Sequence, residues 1–172
     1  MKKYIFLALF LFSFSSIYAQ DLFSAARENN VKQIEELISN GKHVNEANQR
    51  GFTPLILAIY NNSSDAAKVL LSKGANPNAQ DLSGNNALMG AVFRGFPEMV
   101  NLLIANKADV NQVNFNGASA LIFAVTFGQN EIAKKLIEAG ADLNIKDNNG
   151  KTALDHAILQ ENKEMIELLS IK

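Results

Sequence analysis

The 172-residue chain has no cysteine and no excess of either charge. Without cysteine it cannot carry a disulfide framework, a thiol nucleophile or a thiolate metal site. Its 16 lysines and arginines nearly balance its 17 aspartates and glutamates, which gives a net charge of −1. A protein that binds nucleic acid by neutralising phosphates needs a basic surface. The composition therefore argues against a disulfide-stapled scaffold and against a nucleic-acid-binding protein.

The sequence also lacks the motifs of common catalytic and metal sites. It contains no glycine-rich phosphate loop, no nucleophile elbow and no paired acid motif. The segment 81–86 (DLSGNN) lacks the alternating acids and the closing glutamate of a calcium loop, so we interpret it as a hairpin tip. We accordingly expect no catalytic residue, no cofactor and no metal site.

Near the N-terminus there is an apolar run that is too short to cross a membrane. Lys2 and Lys3 precede the unbroken apolar stretch 5–12, and a polar, small-ended segment follows it up to Ala19. This three-part layout is that of a secretory signal peptide, whereas a spanning helix needs roughly 20 apolar residues. We predict a signal peptide over 1–19 that is cleaved after Ala19, so that no membrane anchor remains; a permanent anchor is the alternative.

What the sequence does have is a repeat with a step of thirty-three residues. Glycine recurs at 51, 84, 117 and 150, leucine at 55, 88, 121 and 154, and alanine at 58, 91, 124 and 157. In the unit 48–80, Thr53 and Pro54 mark a helix start, Asn61-Asn62 ends the first short helix, and Gly74 ends the second. Two short helices cannot bury their shared apolar face alone. The recurrence therefore predicts a linear stack of helix–turn–helix units that contact only their neighbours.

These residues carry a resemblance to a known family. The run Gly51-Phe-Thr-Pro-Leu, Ala58 downstream and the ending Gly74-Ala-Asn-Pro-Asn are similar to the ankyrin repeat. The family's histidine after Thr-Pro-Leu is replaced by Ile56, Met89, Ile122 and Asp155. The usual Thr–His hydrogen bond is therefore absent. The resemblance implies an all-α, ankyrin-repeat solenoid of about four to five helix–turn–helix units with hairpin-like loops.

The units divide the chain after the signal peptide, which leaves a repeat domain at 20–172. We expect an N-terminal cap at 21–47, full repeats at 48–80, 81–113 and 114–146, and a C-terminal cap at 147–172. Lys107 stands where a terminal glycine is expected, so we expect the unit 81–113 to end less cleanly than its neighbours.

Two sets of polar residues are interpreted as structural. Asparagines at 45, 78, 111 and 144 are expected to hydrogen-bond nearby backbone and to stabilise their turns. His43 and His156 fall at opposite ends of the stack, so they cannot share a metal. Each is interpreted as a packed or hydrogen-bonded residue.

The resemblance implies that the hairpin tips and the exposed ends of the first helices form a concave face that binds protein. Aromatic residues and an arginine occupy this face, and such residues dominate binding hot spots. The candidates are Phe52, Tyr60, Phe93, Arg94, Phe115 and Phe127. We expect Tyr60, Phe93 and Phe127 to form a row, although any single ring can instead pad a neighbouring repeat.

We therefore expect an exported bacterial protein, periplasmic or secreted and monomeric, that binds another protein and catalyses nothing. Two other functions stay open. One is an accessory role to an envelope enzyme, for example an oxidoreductase that protects against oxidative stress, and co-purification with such an enzyme would support it. The other is binding of a glycan or small molecule on the aromatic face, which glycan arrays would detect.

Overall fold

A computed structural model describes residues 21–170, and the predicted signal peptide at 1–19 lies outside these described residues. The described part contains ten helices and no strand. They are α1 (Leu22–Arg27), α2 (Val31–Ser39), α3 (Pro54–Tyr60), α4 (Ser64–Ser72), α5 (Ala87–Arg94), α6 (Pro97–Ala105), α7 (Ala120–Thr126), α8 (Asn130–Glu138), α9 (Ala153–Leu159) and α10 (Lys163–Ser170). The helices pair in chain order, and each pair packs on the next. This arrangement confirms the all-α solenoid.

The first helices of the later units all begin with the same kind of cap. The side-chain oxygens of Thr53, Asn86 and Ser119 each accept a hydrogen bond from the backbone N–H of the third residue after them, at 3.3, 2.9 and 3.4 Å. Thr152 does the same at 3.2 Å, and Asp155 returns a bond to the Thr152 N–H to complete a capping box. These caps satisfy N–H groups that have no partner inside the helix.

Helix α6, the second helix of the unit 81–113, ends as regularly as the other second helices. The expectation that Lys107 makes this unit end less cleanly is therefore wrong. Lys107 adopts the left-handed conformation with φ of 65°, which costs a residue with a side chain about 1–2 kcal/mol. Its N–H donates to the Ile104 carbonyl at 3.0 Å, and the Ala108 N–H donates to the Leu103 carbonyl at 3.0 Å. Ala108 is buried, and these bonds hold the lysine in the glycine's conformation.

The core runs between the units as a continuous apolar layer. Leu55, Leu88 and Leu121 occupy equivalent positions and are at most 1% exposed, and the repeated alanines at 58, 91 and 124 are fully buried. Full burial of a leucine side chain contributes about 1.5–3 kcal/mol. The same leucine and alanine are buried in each unit within one continuous core, so each unit depends on its neighbour for burial.

Three of the four repeated asparagines join successive units, which corrects the expectation that they stabilise their own turns. The fourth, Asn144, stays in its own turn, where its side chain donates to Asp142 Oδ1 at 3.1 Å. Asn45 donates to the Gly74 carbonyl at 3.1 Å and accepts from the Asn76 N–H at 2.7 Å, both in the next unit. Asn111 bonds Gly140 and Asp142 in the same way, at 3.2 and 2.7 Å. An amide side chain both donates and accepts, which lets one residue connect two strands of backbone.

Hairpin tips of neighbouring units are also joined directly. The N–H of Leu82 donates to the Arg50 carbonyl at 3.2 Å, and the N–H of Phe115 donates to the Ser83 carbonyl at 3.1 Å. Within a tip the pairing is minimal, and one isolated antiparallel bridge joins Val113 and Ser119. The loops are therefore hairpin-like turns that add to one another along the stack.

Candidate functional site

Each hairpin tip is built around one acidic or amide side chain. Asp81 Oδ1 accepts from the Ser83 and Asn85 N–H groups at 2.8 and 2.9 Å. Equivalent residues at 48, 114 and 147 accept the corresponding pair of N–H groups in their own tips. This asparagine or aspartate turn sets the chain direction and holds the tip residues beside the ends of the first helices.

Five rings lie in a continuous row across three units. The ring centroids of Phe52 and Tyr60 are 6.0 Å apart, those of Tyr60 and Phe93 are 6.5 Å apart, and those of Phe93 and Phe127 are 5.0 Å apart. Phe123 extends the row, with its centroid 5.8 Å from that of Phe127. Tilted and edge-on pairs at such distances are attractive. Tyr60, Phe93 and Phe127, the three rings expected to form a row, are therefore adjacent, and Phe52 and Phe123 extend the row at its two ends.

Tyr60 is the most constrained ring of the row because it lies over Gly90. A Cβ atom at Gly90 would be 2.9 Å from Tyr60 Cε2, so only glycine leaves room for the ring in this place. Burial raises the pKa of the Tyr60 phenol, and the negative charge of Asp81 raises it further, while the Arg94 guanidinium acts in the opposite direction. Tyr60 is thus partly padding between units and partly accessible, beside a carboxylate.

Phe93 and Phe127 remain open to solvent, with 47% and 44% of their surface exposed. Arg94 does not stack on Phe93. Its Cζ lies 5.5 Å from the centroid of the Phe96 ring, a cation–π contact that holds the guanidinium at the start of α6.

Phe115 is the one aromatic candidate that the structure does not bring into the row. Its ring lies against Gly84 on the neighbouring tip, where a Cβ atom would be 2.7 Å from Phe115 Cδ1. Phe115 is 67% exposed, and Leu82, on the tip before it, is 71% exposed. The two residues make an apolar tip surface that is distinct from the row of rings.

Two residues of this face, Phe123 and Asp81, were not singled out from the sequence. The positions equivalent to Phe123 in the two preceding units hold Gly90 and Leu57. Because neither is aromatic, the repeat did not indicate a ring at this position. Thr126 is the residue aligned with Phe93, and its hydroxyl donates to the Ile122 carbonyl at 2.8 Å. Phe127, one residue later, supplies the ring instead.

A hollow of about 680 Å³ lies at the C-terminal end of the described stack, and no ring of the row lines it. Leu143, Leu154 and Leu169 line it together with polar residues that include Lys146 and Asp155. Leu55, Leu88 and Leu121 are buried at the position that Leu154 occupies. The hollow therefore lies where the described units end.

Within residues 21–170, no group of three or more histidine, aspartate or glutamate residues is placed to hold a metal ion. His156 Nε2 donates to Asp147 Oδ2 at 2.9 Å, and His43 Nδ1 accepts from the Asn45 N–H at 3.2 Å. Both histidines are thus hydrogen-bonded. None of the described helices is long and apolar enough to span a membrane.

Comparison with known families agrees with this geometry. A family model described as ankyrin repeats in three copies matches residues 21–81 and 88–172. A second model, described as ankyrin repeats in many copies, matches residues 62–104. A search of the curated proteins gives no match. The first model alone covers most of the chain and reaches all ten described helices.

Proposed function

The chain belongs to the ankyrin repeat family, whose repeats are protein-interaction units, and we propose that it binds another protein on its concave face and catalyses no reaction. The row formed by Phe52, Tyr60, Phe93, Phe127 and Phe123 supports this proposal most directly. A continuous row of apolar rings on a surface usually marks a contact site. Large aromatic residues also supply most of the energy in protein interfaces.

A protein partner suits the row better than a glycan does. The rings are tilted against their neighbours by 47–84°, so they do not form one flat platform. Sugar rings stack on flat aromatic faces, whereas protein side chains fit between tilted rings. Glycan arrays probed with the protein test the alternative, and a hit that is lost in Phe93→Ala would favour it.

The hot-spot test compares Phe93→Ala with wild type once a partner has been isolated from the native host. We expect Phe93→Ala to weaken binding by about 2 kcal/mol or more, roughly thirtyfold in Kd, in isothermal titration calorimetry. Helical content measured by circular dichroism should not change, because Phe93 is half exposed. The identified partner also shows whether the protein is an accessory to an envelope enzyme.

The control for this test is Lys32→Ala. Lys32 is exposed on α2 and lies far from the row. Lys134, an exposed lysine on α8, is a poorer control because it is ion-paired with Glu164 of the last unit at 2.9 Å. Lys32→Ala should leave affinity unchanged. If Phe93→Ala binds as wild type does, or destabilises the fold as much as Leu88→Ala, then Phe93 is padding and the proposed site is wrong.

We further propose that the protein is exported and that it acts as a monomer in the periplasm or outside the cell. Support comes from the sequence, where the basic start, the apolar stretch 5–12 and the segment up to Ala19 have the layout of a signal peptide. N-terminal analysis of the protein from its native host should find Gln20 as the first residue. An intact Met1 on most molecules would contradict export by this route.

A further inference from the structure

The negative charge of Asp81 is not needed for the turn that Asp81 forms. Asn48 makes the same turn with its amide oxygen, which accepts from the Arg50 and Phe52 N–H groups at 2.9 and 3.1 Å. Asn114 does so as well, with two such bonds at 2.9 and 3.0 Å. A neutral side chain is therefore sufficient at this position, and the charge of Asp81 needs another explanation.

In the last unit, the equivalent aspartate uses its charge locally. Asp147 Oδ1 holds the tip, and Oδ2 lies 2.9 Å from His156 Nε2. By the repeat step, Gly90 is the residue of the earlier unit that corresponds to His156. Gly90 offers no side chain, and the Tyr60 ring lies over it instead. Asp81 thus lacks the local partner that Asp147 has.

No other described residue compensates the charge of Asp81. Among residues 21–170, no lysine, arginine or histidine nitrogen lies within 4 Å of its carboxylate, and Oδ2 receives no hydrogen bond from these residues. Arg94, on the adjacent helix, is directed onto the Phe96 ring. Only 8% of Asp81 is exposed. Asp81 Oδ2 is nevertheless not one of the fully buried atoms that lack a hydrogen-bond partner among these residues. It therefore keeps access to solvent, and a cation supplied by a partner can pair with it without displacing a hydrogen bond of the protein.

Asp81 lies next to the start of the row of rings. Its Cα atom packs on Gly51, where a Cβ would be 2.9 Å away, and Gly51 precedes Phe52, the first ring of the row. The charge of Asp81 also reaches the Tyr60 phenol and helps to raise its pKa. A carboxylate beside aromatic rings is the combination that binds ammonium and guanidinium groups, through a charge-assisted hydrogen bond and a cation–π contact.

We propose that Asp81, Tyr60 and Phe93 form a receptor for one cationic side chain of the protein partner, a lysine ammonium or an arginine guanidinium. The cation pairs with Asp81 Oδ2 and lies against the rings of Tyr60 and Phe93. This inference rests on the proposed function and adds the chemistry of the residue that is recognised.

The test selects peptides from a random displayed library on wild type, Asp81→Asn and Phe93→Ala. Asp81→Asn is a matched change, because Asn48 and Asn114 show that asparagine keeps the turn. Peptides selected on wild type should be enriched in lysine or arginine relative to those selected on Asp81→Asn. Selected peptides are then labelled, and their Kd values are measured by fluorescence anisotropy.

The affinity measurements form a double-mutant cycle that combines a substitution in the protein with one in the peptide. We expect Asp81→Asn to weaken a selected peptide about tenfold or more. Replacing the peptide's arginine by neutral citrulline, or its lysine by norleucine, should cost a similar factor on wild type and little on Asp81→Asn. Glu138→Gln removes one exposed negative charge from α8 and should have no effect, which excludes a general effect of net charge.

The outcomes separate this inference from the proposed function. Peptides that lose affinity in Phe93→Ala but bind Asp81→Asn as they bind wild type, or that carry no excess of basic residues, overturn the cation receptor and leave the proposed function standing. If no peptide is enriched, or if the peptides are indifferent to Phe93→Ala, both the proposed function and the inference are contradicted.

Discussion

At Gly90, the absence of a side chain determines where Tyr60 lies. The same repeat position holds Leu57, Phe123 and His156 in other units. The first is buried, the second extends the row of rings, and the third bonds Asp147. The repeat step shows from sequence alone that these residues are equivalent. It does not show which way a ring turns, because that depends on the space left by the residue one unit away.

The titration of Tyr60 tests this local arrangement. Tyr4 and Tyr18 precede residue 20, so a protein that begins at Gln20 has Tyr60 as its one tyrosine. Burial and the charge of Asp81 raise the pKa of Tyr60, so phenolate absorbance of the folded protein should appear above the ordinary value of about 10. Asp81→Asn removes a negative charge and should lower this pKa.

The raised pKa of Tyr60 also makes the stability of the protein depend on pH, and the unfolded protein serves as the control. A folded-state pKa above the unfolded value contributes stability that is fully present below pH 10, and this stability is lost as pH rises through the folded pKa. The protein unfolded in urea should titrate at the ordinary value. A native titration at that value, or one that Asp81→Asn leaves unchanged, would show that the ring is not buried beside Asp81.

At the scale of the hairpin tip, the close contact between successive units requires glycine. A Cβ at Gly84 would lie 2.6 Å from the Phe115 backbone nitrogen, while one at Gly150 would have no atom within 4 Å. The two glycines have nearly the same left-handed conformation, with φ of 79° and 73°. The recurrence of glycine was readable from the sequence, but it did not distinguish a glycine needed for φ alone from one needed for contact.

Gly84→Ala and Gly150→Ala form a matched pair that separates these two roles. Both variants incur the left-handed strain, about 1–2 kcal/mol. Gly84→Ala must in addition push the Phe115 backbone away and break its 3.1 Å hydrogen bond to Ser83, so we expect it to lose at least about 1 kcal/mol more. Urea unfolding monitored by circular dichroism measures the difference. Equal losses would mean that the tips do not pack as described.

For the whole molecule, the repeat step predicted the fold, since Leu55, Leu88 and Leu121 recur and are buried between units. The partners between units were less predictable. Asn45 was assigned to its own turn but bonds Gly74 and Asn76, because a stack brings residues about one step apart into contact. The location of the concave face was predictable from the sequence. The surplus charge of Asp81 became visible only when its burial and its missing partner were known.

A stack held by contacts between neighbours opens from its ends, and the last unit carries acids that link its opening to pH. The Lys151 N–H, together with His156, lowers the pKa of Asp147. The Thr152 N–H and hydroxyl lower the pKa of Asp155, and Lys134 with Asn130 lowers that of Glu164. Lowered carboxyl pKa values contribute stability above the unfolded values of about 4, and this stability is lost as pH falls through the folded values.

We therefore expect acid to open the last unit before the middle of the stack. Hydrogen exchange, corrected for the intrinsic pH dependence of the rate, should show protection in α9 and α10 falling more than in α5 between about pH 5 and pH 2.5. Asp147→Asn keeps an acceptor for the tip, as Asn114 does, but has no carboxyl to protonate. At pH 6, α9 of Asp147→Asn should be less protected from hydrogen exchange than α9 of wild type, because the carboxylate bond to His156 is lost. This protection should also change less with pH than it does in wild type. Uniform loss along the stack would mean that the chain opens as one unit and that these acids do not control its end.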